Sequence, residues 1–168
     1  MALLIIVPIA LALAAYCVWA MRRDHRTETT AHLDAPAHEV WAVLTGFGSY
    51  AEWNPLFTAV NGELAEDERL AVTRTHTDGR PRRLRPKVLH VSPARRIQWL
   101  HRLGPGGLLD REHYLVLEPQ KDRTTRLIHG ERVTGVLLPM AAGRFDGAAE
   151  ELEAMNTALA ERVKTSRE

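Results

Sequence analysis

The sequence predicts an α+β domain, in which one curved antiparallel sheet of about seven strands is closed by a long C-terminal helix. Three observations predict it. Six segments between Leu56 and Thr134 carry strand-like patterning and are joined only by short, turn-forming connections. Near the end, apolar residues recur at spacings of three and four, the period of a helix with one buried face. The first 21 residues form a separate run with no charged side chain.

The chain has 168 residues, enough for one domain and an appendage, and its 45% hydrophobic and 26% charged residues are the balance of a globular protein. A formal net charge of +1 argues against nucleic acid as a partner, because phosphate binding calls for a basic excess. The single cysteine, Cys17, excludes an internal disulfide and a cysteine-rich zinc cluster.

Residues 1–23 are expected to form a single-pass membrane anchor, with residues 24–168 as the domain. As a helix the apolar run is about 32 Å long, against roughly 30 Å of bilayer hydrocarbon. Pro8 lies inside it, and Tyr16 and Trp19 lie near one end, where amphipathic aromatics favour an interface. Arg22, Arg23 and Arg26 follow the run, which by the positive-inside rule places the domain in the cytoplasm. A cleaved signal peptide and a buried soluble helix are the alternatives. The first lacks a charged segment before the apolar stretch.

Within the domain, Thr27–Leu33 reads as a strand. Asp34-Ala35-Pro36 ends it, with Asp34 suited to cap a helix and Pro36 to its first turn. Val40, Trp41, Val43, Leu44 and Phe47 follow at helical spacing until Gly46 and Gly48 interrupt. A second short helix covers Ser49–Trp53 and stops at Asn54-Pro55. Strands are predicted around Leu56–Val60, Arg69–His76, Arg82–Val91, Arg96–Leu103, Leu108–Leu117 and Thr125–Thr134. Asn61-Gly62, Asp78-Gly79, Ser92-Pro93, Gly104-Pro105-Gly106-Gly107 and Lys121-Asp122 separate them. Parallel pairs need crossovers of a dozen or more residues, so these strands form an antiparallel meander. The last helix is predicted over Ala142–Lys164, with Phe145, Ala149, Leu152, Met155, Leu159 and Val163 on one stripe. Laid across a curved sheet, such a helix leaves room for a pocket.

Three pieces of sequence carry a resemblance: Ala35-Pro36 leading into Val40-Trp41; Tyr50-Ala51-Glu52-Trp53-Asn54-Pro55; and Glu112-His113-Tyr114 followed by Thr125-Arg126-Leu127-Ile128-His129-Gly130-Glu131. In this order and spacing they resemble the START-like (SRPBCC) superfamily, polyketide cyclase/dehydrase-like, over roughly Thr27–Val163. The resemblance implies a helix-grip fold and a cavity for apolar or amphipathic small molecules or lipids. Fold alone does not separate carriers from cyclases.

Strand parity singles out the chemistry-bearing residues. Ile97, Trp99 and His101 share a face, as do His113, Leu115 and Leu117, and Leu127, His129, Glu131 and Val133. Their apolar members seek the interior and carry the polar ones inward. His113, His129 and Glu131 are then a structural network, a ligand-orienting patch, or acid–base catalysts of a cyclase or dehydratase. Two His and one Glu could also ligate a metal, but no tight ligand motif supports one, and neither a metal nor a cofactor is expected. The expected partner is a hydrophobic small molecule or lipid. Its wall is expected to include Trp53, Trp99, His101, Leu115, Phe145, Leu152 and Met155 as well as the three polar residues. Trp53 and Trp99 have simpler readings as a helix stop and a core residue. A vestigial pocket in an interaction or stress protein is a further alternative. The basic run Arg80, Arg82, Arg83, Arg85 and Lys87 reads first as a solvated sheet edge, and second as a contact for anionic headgroups.

Overall fold

The computed structural model describes residues 2–75 and 79–167, with the side chains of residues 2–4 and 142 excepted. His76, at the predicted strand end, and Asp78 of the Asp78-Gly79 turn lie outside the described residues. The first strand, β1 (Asp24–Leu33), begins before Thr27 because its pairing with the last strand continues to Asp24↔Thr134. Helix α2 (Ala37–Thr45) has Pro36 at its N-cap, and no side chain caps it, so the expected Asp34 cap is not made. Ala35 is buried, and its carbonyl accepts from the Thr125 hydroxyl at 2.7 Å. That contact ties the chain to the last strand just before the helix, whose cap lies two residues after Asp34. A 3-10 turn (Phe47–Ser49) leads into α3 (Tyr50–Trp53). Asn54 ends α3, and its side-chain oxygen accepts from the amides of Leu56 (3.0 Å) and Phe57 (2.8 Å).

The remaining strands are β2 (Phe57–Asn61), β3 (Ala71–Thr75), β4 (Pro81–Leu84), β5 (Lys87–Ser92), β6 (Arg96–Arg102), β7 (Asp110–Pro119) and β8 (Thr125–Thr134). The predicted strand Arg82–Val91 is two strands, because Pro86 has no amide hydrogen to give to a ladder. Five strands run in the order β1-β8-β7-β6-β5 and three in the order β2-β3-β4. An isolated bridge at Arg69↔Lys87 links the two groups. Every pairing is antiparallel, as the short connections require. Irregular register at Phe57/Ala59 and Val88/His90 adds the bends that curve the sheet.

The C-terminal segment departs from a single helix. After β8 come α4 (Leu138–Ala141), a 3-10 turn (Ala142–Phe145) and then α5 (Ala148–Thr165), started by Gly147. Phe145 therefore leaves the stripe and packs with Val133, Leu138 and Ala141 in a small second core. Leu152, Met155, Leu159 and Val163 remain buried beneath α5 in the main core. Each such side chain contributes roughly 1.5–3 kcal/mol on burial. Gly135, between β8 and α4, has φ +127°, and a Cβ there would lie 2.5 Å from the Leu108 carbonyl oxygen. The absence of a side chain lets the segment after β8 lie directly on the β6–β7 loop.

The expected membrane anchor, and the membrane location drawn from it, are corrected. Helix α1 spans Ala2–Met21, but among the described residues no helix is long and apolar enough to cross a membrane. The far end of α1 is held by the domain: the Tyr16 hydroxyl donates to the Val136 carbonyl at 2.9 Å, and Ala20 is fully buried.

Candidate functional site

Period-two alternation aims the polar residues of β7 and β8 inward, and the register then brings them together. His113 pairs with Glu131 and Leu115 with His129 across β7–β8, and Trp99 of β6 pairs with His113. His113, His129 and Glu131 are at most 2% exposed, so each needs a protein partner. Glu131 has three. Arg74 of β3 donates to Oε1, Arg111 of β7 donates to Oε2 through Nε (2.9 Å) with Nη2 2.7 Å from the same oxygen, and His113 Nδ1 lies 3.2 Å from Oε1. Arg74, 1% exposed, also reaches Glu151 of α5 at 2.6 Å. Burial pushes the Glu131 carboxyl upward, but the charges of Arg74 and then Arg111 override it and hold the group well below the usual carboxylate range.

The histidines extend this cluster. Ring nitrogens of His113 and His129 lie 3.2 Å apart, His129 Nδ1 lies 2.7 Å from Asn156 Oδ1, and Asn156 Nδ2 donates to Thr29 at 2.9 Å. Trp99 stacks on His113, and Phe57 and His129 meet it edge-on. This apolar enclosure lowers the pKa of both imidazoles, that of His129 to about 3. A neutral pair constrains the proton order. With Asn156 Oδ1 accepting from His129, His113 must donate from both nitrogens and be cationic. Turning the Asn156 amide over gives an all-neutral chain, Asn156 to His129 to His113 to Glu131, with the Thr29 hydroxyl then donating to Oδ1. Desolvation favours that neutral chain.

These residues form the floor beside a cavity rather than its wall. The cavity measures about 500 Å³ and is lined by Leu84, Leu103, Leu109, Val133, Ala148 and Gly147 together with Arg82, His101, Arg111, Arg144 and Glu151. Of the residues expected to touch a ligand, His101 alone lines it. Trp99, Leu115, Leu152 and Met155 are buried in the main core, and Trp53 stands edge-on to Tyr50 beside α2. Phe145 lies under the Arg111 guanidinium, 5.5 Å from ring centroid to Cζ. His101 Nδ1 is buried with no protein partner, and burial followed by the charge of Arg111 lowers its pKa. Among the described residues no three acidic, cysteine or histidine groups are arranged to hold a metal ion.

The sequence reading missed Arg74, Arg111, Asn156 and Arg144, and it named Arg82 only within the basic run. Two of them left a signal. Arg111 has the same strand parity as His113, and Asn156 sits four residues after Leu152 and three before Leu159 on the buried helix face. A second hollow, about 660 Å³, lies on the outside between α2 and the end of α5. Its charges are already matched, Glu39 with Arg167 at 3.2 Å and Arg162 with Glu52 at 2.8 Å.

Comparison with known proteins places this architecture. No curated protein matches the chain. Among solved structures it is similar to a START superfamily protein from Mycobacterium smegmatis, at 20% identity and a TM-score of 0.63 over 84% of this chain and 99% of that one. It is also similar to protein NE0264 from Nitrosomonas europaea, at 16% identity and a TM-score of 0.66 over 84% and 96% of the two chains. A third likeness is to the di-domain ARO/CYC BexL from the BE-7585A biosynthetic pathway, at 16% identity and a TM-score of 0.63, covering 82% of this chain and 49% of that one. At these identities the structures establish the fold. The family model described as polyketide cyclase / dehydrase and lipid transport matches residues 24–166. The chain belongs to that family, as a START-like domain.

Proposed function

We propose that the domain is a binding module for an amphipathic small molecule, held in the cavity beneath the start of α5. The observation that carries this is the two-sided lining: an aliphatic wall of Leu84, Leu103, Leu109 and Val133 faces Arg82, His101, Arg111 and Arg144. Ligand sites combine an apolar enclosure with a few oriented polar groups. A cavity of about 500 Å³ also speaks against a vestigial, filled pocket. His113, His129 and Glu131 act in this reading as the support that fixes Arg111, not as ligand contacts.

The test is binding of Nile red, a neutral apolar dye, to the full chain, beside native mass spectrometry of protein purified without detergent. One dye per chain is expected, lost in Leu103→Trp, which fills the cavity from its exposed rim without touching the core. A wild-type chain that binds neither the dye nor any co-purifying molecule refutes the reading.

A proton-transfer role in a cyclase-type reaction has one supporting observation, and it concerns His101 rather than the buried pair. A general base must reach its substrate. His101 faces the cavity with an unpartnered nitrogen, whereas His113 and His129 are enclosed. Turnover of a carbonyl substrate that is abolished in His101→Ala but kept in Arg82→Gln would favour that role.

A further inference from the structure

We propose that the ligand is an anionic amphiphile, its charged head held at the cavity mouth by Arg82, Arg144 and Arg111 and its apolar tail laid on Leu84, Leu103, Leu109 and Val133. This rests on the reading of the cavity as a ligand site and adds the chemical class that the site selects.

The charges around the cavity are of two kinds. The inner set is balanced. Arg74 and Arg111 face Glu131, and Arg74 also engages Glu151 at 2.6 Å, so two guanidiniums meet two carboxylates. The outer set is not balanced. Arg82, on the edge strand β4, and Arg144, in the 3-10 turn, both line the cavity, are exposed, and make no salt bridge among the described residues. These two elements come from distant parts of the chain, one before β5 and one after β8.

A guanidinium binds a carboxylate or phosphate through a planar fork of donors. Arg111 is held in one orientation by Glu131 and by the Phe145 ring, so it offers a fixed positive wall rather than a mobile one. His101 stands beside it with Nδ1 unpartnered and can add a neutral hydrogen bond. A cationic ligand head would meet three arginines against the single, already engaged Glu151. A neutral head would leave the two outer arginines without a role.

The experiment compares decanoate with decan-1-ol, which share a chain and differ in charge, by calorimetric titration of the full chain at neutral pH. Decanoate is expected to bind about tenfold tighter than the alcohol, the size of a charge-assisted hydrogen bond. The preference is expected to shrink with added salt and to fall severalfold in the double variant Arg82→Gln/Arg144→Gln, which keeps only Arg111 of the three arginines. Both positions are exposed, so that variant retains the fold. Equal binding of the two probes, or tighter binding of the alcohol, overturns the proposal and leaves the cavity reading intact. So does a preference that is undiminished in the double variant. If neither probe binds and Nile red does not bind either, the cavity reading itself fails, and the proposal with it.

Discussion

Replacing Glu131 with Gln tests whether the buried cluster is structural. The substitution preserves shape but removes the charge that Arg74, Arg111 and His113 share. A carboxylate offers two acceptor oxygens, and here both face arginine donors. The Gln amide offers one acceptor and turns an NH₂ group toward a guanidinium. Arg111 then loses its carboxylate, and Arg74 retains only Glu151. Breaking a buried ion pair by removing one partner costs about 3–5 kcal/mol. For a chain of this length a kcal/mol corresponds to roughly 2–4 °C in Tm, so the drop is roughly 6–20 °C. Differential scanning calorimetry at pH 7 measures it. Glu118→Gln is the control, because its partner Arg126 is half exposed and a surface pair contributes about 0–1 kcal/mol. A Glu131→Gln shift no larger than that of Glu118→Gln would show that the cluster is not what holds β3, β7 and β8 together.

Arg111→Met leaves Glu131 with Arg74 and His113, so the carboxylate stays paired. The expected cost is about 1.5–3 kcal/mol, smaller than that of Glu131→Gln in the same calorimetric series. An equal or larger loss would contradict the charge accounting. Stability should also fall as pH drops below about 6.5. The folded pKa values of His113 and His129 lie below their unfolded values, so this stability is present above the unfolded pKa and is lost on acidification. Each histidine contributes a slope of about 1.4 kcal/mol per pH unit, extending for His129 down to about 3. Urea midpoints that stay flat between pH 6.5 and 5 would exclude neutral buried imidazoles. Gly130→Ala places a Cβ 2.4 Å from the ring of Tyr114, which crosses β8 there to reach Glu28. It should cost about 1–3 kcal/mol and be largely rescued by Tyr114→Val, a non-additivity visible in a double-mutant cycle.

The sheet was legible because its signal is local. Alternation at Leu127, His129, Glu131 and Val133 states which face is buried without knowledge of any neighbour, and the short turns state that neighbours run antiparallel. The same logic failed where a single residue breaks a run. Pro86 splits one predicted strand into two, and Gly147 restarts the final helix after a tight turn, so that Phe145 leaves the stripe to which its spacing assigned it. The site was half legible because long-range contacts complete it. Parity aims Glu131 inward, but it cannot say that Arg74, on β3 in the other group of strands, will meet it. Nor can it say that β4 and the turn after α4 will set Arg82 and Arg144 at one opening. The absence of charge on α1 misled in another way. A run free of charged residues marks apolarity, whereas the contact of Tyr16 with Val136 is a tertiary fact.

A buried cluster of charges is a poor device for stability alone, since well-packed apolar side chains of similar volume often do as well or better. Its presence between β3, β7, β8 and α5 calls for another account. Among its four charged members, Arg74 and Glu131 are closed off from solvent, while Arg111 and Glu151 also border the cavity. The cluster therefore fixes where the charge of Arg111 points, because its Nε and Nη2 are both committed to one oxygen of Glu131. A guanidinium already desolvated and held in place gives up less conformational freedom when an anion arrives than one free to move in water. In the binding module proposed for this domain, the interior histidines and Glu131 contribute to recognition without touching the ligand, by holding the arginine that does.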